Sequence, residues 1–410
     1  MVVGLVSGSH FVNHMYLVLL PPLFGVLSHQ FGVSLAALGL AMGVQGLVNT
    51  GFQLPFGYVS DNYSRRLTLG ICLVFGAAGV AIIATAASFA WLVVGEAVLG
   101  IGVAGHHPAQ YPLLADASED AYRGRLYSVH AFAGNLGFAA GPAVIAAVVA
   151  IPGANWRDAL GLVGVVGGLY AVVALAVLVW YVSDDVALPD VDATAETTAS
   201  LRERVGGELR SLTSSPAILA LAALTLVTST ASWGVTTYTV TLLTGSYGVG
   251  QSAANLTLSA MFVASAAAVL VGGGLTDRFS AGPVMLASYG LLGVFVLGLA
   301  SMGMAPLLAV AVAVVAGGVR SLGNPARSTL TDRLSARTDL GKNFAVITIG
   351  IMLGSAIAPP VFGALMERVG AQPTFVAIAG VAGVALLLTL GILRTYRTEF
   401  AGPTPGPADD

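Results

Sequence analysis

Seven side chains that can carry charge stand inside stretches that are otherwise apolar: Glu96, Arg320 and the histidines His10, His14, His106, His107 and His130. Holding such a group in hydrocarbon costs about 2.5–3.5 kcal/mol, so each needs a reason to be there. An imidazole changes charge near neutral pH and can pass a proton on; the bland reading is a neutral, hydrogen-bonded structural ring. His10 and His14 are one helical turn apart and share a face with Asn13. That spacing also suits zinc. Only Glu96 is on hand to complete a ligand set, and it lies ten residues, about 15 Å of helix, before His106. No metal and no other cofactor is therefore expected. Glu96 is either a proton carrier or a neutral packing group. Arg320 keeps its proton and must find an anion, carbonyls or water. It reads either as counter-charge for a phosphonate or carboxylate of a substrate, or as half of an internal ion pair or a side chain snorkelling to the lipid surface.

Those positions have to be held by elements that span lipid. Of 410 residues 56% are hydrophobic and 9% charged, against about 25% charged in soluble domains. Apolar runs approach or exceed the roughly 20 residues that cross a bilayer as a helix. Twelve are expected, near 2–28, 34–58, 67–87, 90–115, 124–150 and 158–182, then near 216–244, 251–275, 282–302, 305–330, 342–367 and 373–395. On these spans His14 lies about 18 Å into span 1, His106 about 24 Å into span 4, and Arg320 about 22 Å into span 10. Asn135, Asn324, Trp233, Thr236, Thr237 and Tyr238 add polar or amphipathic groups on spans 5, 10 and 7. Trp233 and Tyr238 also fit the role of interface anchors.

The chain repeats itself. GYVSDNYS at 57–64 returns as GGLTDRFS at 273–280, and Pro108, Gly137 and Pro142 return as Pro325, Gly354 and Pro359. A duplicated unit of about 200 residues follows. The expected organisation is a six-helix bundle over 1–182, a polar linker over 183–215, a second bundle over 216–396 and a disordered tail over 397–410. The linker's later part, LRERVGGELRSL, has helical spacing and reads as a solvated tether or a surface-lying helix. Of the 17 basic residues, all but Arg157, Arg368 and the intra-span Arg320 fall on the side that holds both termini, which makes that side cytoplasmic. The one cysteine, Cys72, excludes disulfides. No cleavable leader is expected, because the first apolar run is too long and lacks a basic start; no nucleophile elbow, phosphate-binding loop or cysteine-rich metal pattern is visible, so an enzyme is not expected.

Two six-helix halves with GYVSDNYSRR at 57–66 between spans 2 and 3 resemble the major facilitator superfamily, across almost the whole chain. SHFVNHMYLVLLPPL at 9–23, GIGVAGHHPAQ at 100–110 and GNLGFAAGP at 134–142 look like its fosmidomycin-resistance group of exporters, and Gly137, Gly141 and Pro142 resemble the span-5 packing motif of drug–proton antiporters. Departures are Ser64 where the family usually has Gly, Ala281-Gly282 where the second copy would carry its basic pair, His14 where the group commonly has an acid, and Ile145-Ala146 for the closing glycines.

The resemblance implies an all-α integral membrane protein with twelve transmembrane helices in two pseudo-symmetric bundles and a central cavity lined by spans 1, 4, 7 and 10. His10, Asn13, His14, His106, His107, His130, Asn135, Trp233, Tyr238, Arg320 and Asn324 are the expected substrate-cavity residues, with Glu96, His14 and His107 as proton-coupling candidates. Gly57, Asp61, Arg65, Arg66, Asp277 and Arg278 are the expected gate, with Asp116, Arg123, Arg125, Asp332 and Arg333 as candidate partners; the alternative is simple topology anchoring, which explains the arginines but not a repeated Asp. The function implied is proton-coupled export of a small amphipathic or anionic compound by alternating access, from a monomer in the cell membrane, with protons, a small molecule and the lipid bilayer as partners and no nucleic acid. An importer of an organic anion and a non-transporting receptor or scaffold are the alternatives.

Overall fold

The computed structural model of the protein describes residues 1–117, 122–189, 215–335 and 340–396. Twelve helices in it are long and apolar enough to cross a membrane. They run Val2–Phe31, Leu35–Asn62, Arg65–Ala84, Phe89–Asp116, Arg125–Val149 and Trp156–Trp180 as spans 1–6. Pro216–Ser246, Gln251–Phe279, Ala281–Ala300, Pro306–Arg333, Asn343–Val369 and Ala371–Thr395 are spans 7–12. Most of linker 183–215 and the tail 397–410 lie outside the described residues. Residues such as Leu270, Leu307 and Val172 leave most of their apolar surface uncovered by protein, as a surface solvated by hydrocarbon requires.

Serines and prolines start these helices. Ser34, Ser64, Ser88 and Ser215 each accept from a backbone N–H three residues on, while Pro216 and Pro306 occupy first-turn positions whose N–H has no partner in any case. Three spans are interrupted, where the sequence predicted continuous ones. Span 1 passes through a short 3₁₀ turn, Pro21–Leu23. Span 4 breaks at Gly105, between Phe89–Ala104 and His106–Asp116, and span 10 breaks at Gly323, between Pro306–Leu322 and Asn324–Arg333. The cause is the repeated proline: Pro108 and Pro325 donate no hydrogen bond to the carbonyls four residues earlier.

Small residues let the spans meet. A Cβ on Gly137 would stand 2.1 Å from the carbonyl oxygen of Phe11, so only glycine lets span 1 lie so close on span 5. Gly141 faces Met15 in the next turn, and Gly354 does the same work in the second half against span 7. The halves are joined towards the side opposite the 57–64 and 273–280 repeats, hereafter the motif side. There Gly39 and Gly43 of span 2 pack onto the backbone at Pro359 and Ala356 of span 11. Ser259 Oγ donates to the Ala139 carbonyl at 2.6 Å, and Gln251 Nε2 to the Pro22 carbonyl at 2.7 Å.

The two copies of the loop motif end differently. Ser64 is extended, with φ −167°, and caps span 3. Ser280 sits at φ 66°, ψ 168°, a region populated almost only by glycine. Replacing Ser280 by Gly should raise the thermal unfolding midpoint in detergent, by relieving about 1 kcal/mol. Gly137→Ala should lower it, because span 1 must move away by more than a methyl group allows.

Candidate functional site

Between the halves lies a cavity of about 230 Å³ whose wall includes Asn135 and Phe138 of span 5, Trp233 and Thr236 of span 7, and Arg320, Asn324 and Arg327 of span 10. The last three follow one another at i, i+4 and i+7, which is one helix face. Arg320 Nε donates to the Gly317 carbonyl at 3.2 Å, and its Nη1 donates to the Ser232 carbonyl at 3.2 Å and to Thr236 Oγ1. Its guanidinium lies 5.0 Å from the ring centre of Phe262. All these partners are neutral. Among the described residues no carboxylate lines the cavity, and the salt bridges are Arg65–Asp116 and Arg66–Asp184. The internal ion pair that was one reading of Arg320 is therefore not made there. Two guanidiniums facing one cavity with no carboxylate among its described lining residues select for negative charge.

Arg327 was not among the expected site residues, because its position near the end of span 10 reads as a topology anchor. Spacing from Arg320 was the signal that finds it. Ser229, Ser232 and Ser265 on the same wall carry no sequence signal, since single serines in apolar helices are common.

The histidines divide into two sets. His10, His14, His107 and His130 form one cluster from spans 1, 4 and 5. His10 and His14 meet Nε2 to Nε2 at 3.0 Å. His10 stacks on His130 at 4.0 Å between ring centres, and His107 lies 5.3 Å from His10 and 6.0 Å from His14. His10 Nδ1 is 3.0 Å from the carbonyl oxygen of His130. A carbonyl only accepts, so His10 carries its proton on Nδ1 and turns the Nε2 lone pair to the cluster. The rings lie against Gly134, where a Cβ would stand 2.6 Å from His10. His14 and His107 are half-buried, while His10 and His130 are buried. The cluster adjoins the cavity wall: His14 packs on Phe138 at 4.2 Å, Phe138 stacks on Phe262 at 5.1 Å, and Phe262 carries Arg320.

His106 points elsewhere. Its Nδ1 is 3.0 Å from both Ser9 Oγ and Gln110 Nε2, and because an amide nitrogen only donates, Nδ1 accepts and its lone pair is used. It belongs to a buried polar triad, which corrects its assignment to the cavity. Tyr238 is also corrected: it is wholly buried, donates to the Pro359 carbonyl and meets Phe24 at 5.7 Å. Its face of span 7 packs on span 11, away from the cavity wall. His10, Asn13 and His130 are buried behind the cavity wall and do not line it. Glu96 is 2% exposed in the first helix of span 4 and does not reach the cavity either.

On the motif side, Arg65 pairs with Asp116 and donates to the Val186 carbonyl at 2.9 Å. Arg66 donates to the Val182 carbonyl at 2.6 Å and pairs with Asp184 at 3.1 Å. Asp116 is an expected partner, whereas Asp184 and the two carbonyls are not. The side chain of Arg123 lies outside the described residues. Gly57 is half-buried, and Asp61, Asp277, Arg278, Arg125, Asp332 and Arg333 are exposed.

The family model described as Major Facilitator Superfamily matches residues 6–242 and 222–409. The chain is 28% identical over 181 residues to the Fosmidomycin resistance protein of Escherichia coli (strain K12), a match that covers 44% of this chain and 43% of that relative's length. It is 25% identical over 398 residues to the uncharacterized MFS-type transporter YfnC of Bacillus subtilis (strain 168), covering 94% and 89%. Among solved structures, a bacterial homolog of the human lysosomal transporter Spinster, in an inward-facing and unoccupied conformation, superposes with a TM-score of 0.77 at 15% identity, over 98% of each chain.

If His106 is structural, His106→Leu should lower stability by about 1–2 kcal/mol, because Ser9 and Gln110 each lose a buried partner. Thermal unfolding followed by tryptophan fluorescence checks this.

Proposed function

The chain belongs to the Major Facilitator Superfamily, and on that premise we propose that it is a proton-coupled secondary transporter exporting a small amphipathic or anionic organic compound by alternating access. It works as a monomer in the cell membrane with both termini cytoplasmic, and it is not an enzyme. One observation carries the choice of substrate: Arg320 and Arg327 face the same cavity, and among the described residues no acid lines it. Arg320 is already oriented by Thr236 and two carbonyls, all of them neutral, so an arriving carboxylate or phosphonate meets an unneutralised, positioned guanidinium. Trp233, Phe138 and Phe262 supply apolar area beside it, which suits an amphipathic molecule.

His14 and His107 are the proton carriers of this reading, in preference to Glu96. They are half-buried next to the cavity wall, whereas Glu96 is enclosed in span 4. Alternation is a rocking of the halves. The present form is joined opposite the motif side by the span 2–span 11 and span 5–span 8 contacts. Closing the motif side would bring Asp61, Asp277 and Arg278 towards the other half, where Arg65 and Arg66 are already anchored within their own.

A thermal-shift screen of the purified protein against organic anions and cations is the first check, since a ligand stabilises the state it binds. Anions should raise the unfolding midpoint, and Arg320→Gln should weaken the best of them by about 10- to 100-fold, the worth of a charged hydrogen bond. Stabilisation by cations alone overturns the anion reading. Uptake of the same anion into proteoliposomes should follow an imposed pH gradient; flux indifferent to that gradient overturns the coupling.

A further inference from the structure

We propose that His10, His14 and His107 bind a divalent transition-metal ion of the zinc class, leaving one coordination position open to an anion or water. Their ligand atoms lie within 4.8 Å of one another. The His10 and His14 Nε2 atoms, at 3.0 Å, are already near the roughly 3.3 Å that separates two nitrogens on a tetrahedral ion with bonds of about 2.0–2.1 Å. A shift of about 1.5 Å at the end of one side chain closes the set.

Lone-pair accounting favours a metal over a shared proton. His10 gives its Nδ1 proton to the His130 carbonyl, the outer hydrogen bond that a metal-ligating imidazole characteristically makes, and this aims Nε2 at the cluster. On two of the three proposed ligands, His14 Nδ1 and His107 Nδ1 are buried with no hydrogen-bond partner. An orphaned buried polar atom costs about 1–3 kcal/mol, and here two lie on neighbouring ligands of one cluster. A single proton satisfies at most one contact between two rings. A second proton would place like charges within a few ångströms, with His10, His14 and His130 centred only 4.0–4.1 Å apart. One divalent ion engages three imidazoles at once. Their neutrality leaves the ion's charge unbalanced, so its open position takes an anion.

The site lies outside the cavity lining; an ion there takes the lone pairs of His14 and His107, so it competes with the protons assigned to them above, and it is tested by binding rather than by transport. Its test is equilibrium binding to the full chain, purified without a histidine tag and stripped with chelator. Dialysis against Zn²⁺ followed by metal analysis should return one ion per chain. His14→Gln and His107→Gln should each weaken binding by at least about tenfold, while His29→Gln, exposed and remote from the cluster, should leave it unchanged. Co²⁺ should give the intense visible bands of a tetrahedral nitrogen-ligated ion in the unaltered protein, a readout that stands even if a variant fails to fold. Less than one ion per chain, affinity unchanged in the His14 and His107 variants, or absence of the tetrahedral cobalt bands overturns the site.

Discussion

In hydrocarbon a backbone polar group has no water to fall back on, and that constraint organises the whole chain. It forces helices, and it makes any break in a helix a place that must be enclosed by protein. Pro108 and Pro325 create such breaks at equivalent depth in the two halves. Side chains beside them inherit both the enclosure and the loose backbone: His107 stands at one break, Asn324 at the other, with Arg320 and Arg327 a turn to either side of Asn324. The polar interior is thus a consequence of where the helices fail.

Duplication supplied two similar frames that were then filled differently. Gly134 and Ile351 are 217 positions apart. Gly134 has His10 and His14 packed against it, while the carbonyl of Ile351 accepts from Ser229 Oγ at 2.6 Å. The same groove between the first and fifth spans of each half therefore holds imidazoles on one side and a hydroxyl on the other. The guanidiniums follow the opposite rule: Arg320 has Val103 at the corresponding place. Inside the bundle the imidazole cluster sits in one half and the cavity guanidiniums in the other.

Much of this was legible in the residues. Long apolar runs and the repeat offset give twelve spans, because the lipid length requirement is stringent. The close approach of span 1 to span 5 was legible in Gly137 and Gly141, where a side chain has no room. The directions of side chains were not. His106 and His107 are neighbours, yet one faces Ser9 and Gln110 and the other faces His10. Adjacent helical positions differ by about 100°, and no apolar–polar alternation marks which direction is the cavity. Tyr238 was misplaced for the same reason. Arg327 shows the converse failure: a basic residue near a helix end has two good explanations, and only the shape of the cavity separates them.

The seal opposite the motif side is made mostly of neutral contacts: glycine against backbone, serine and glutamine side chains on carbonyl oxygens. Arginine–carboxylate pairs are concentrated on the motif side. Dissolved ions screen the second kind of contact within about a Debye length and leave the first nearly untouched. Ionic strength therefore acts on this molecule as a one-sided lever. Concentrated salt loosens the fastening of the motif-side loop to its own half and acts less on the far closure, where the carboxylate of Glu367 accepting from the Ala36 N–H is set among neutral contacts.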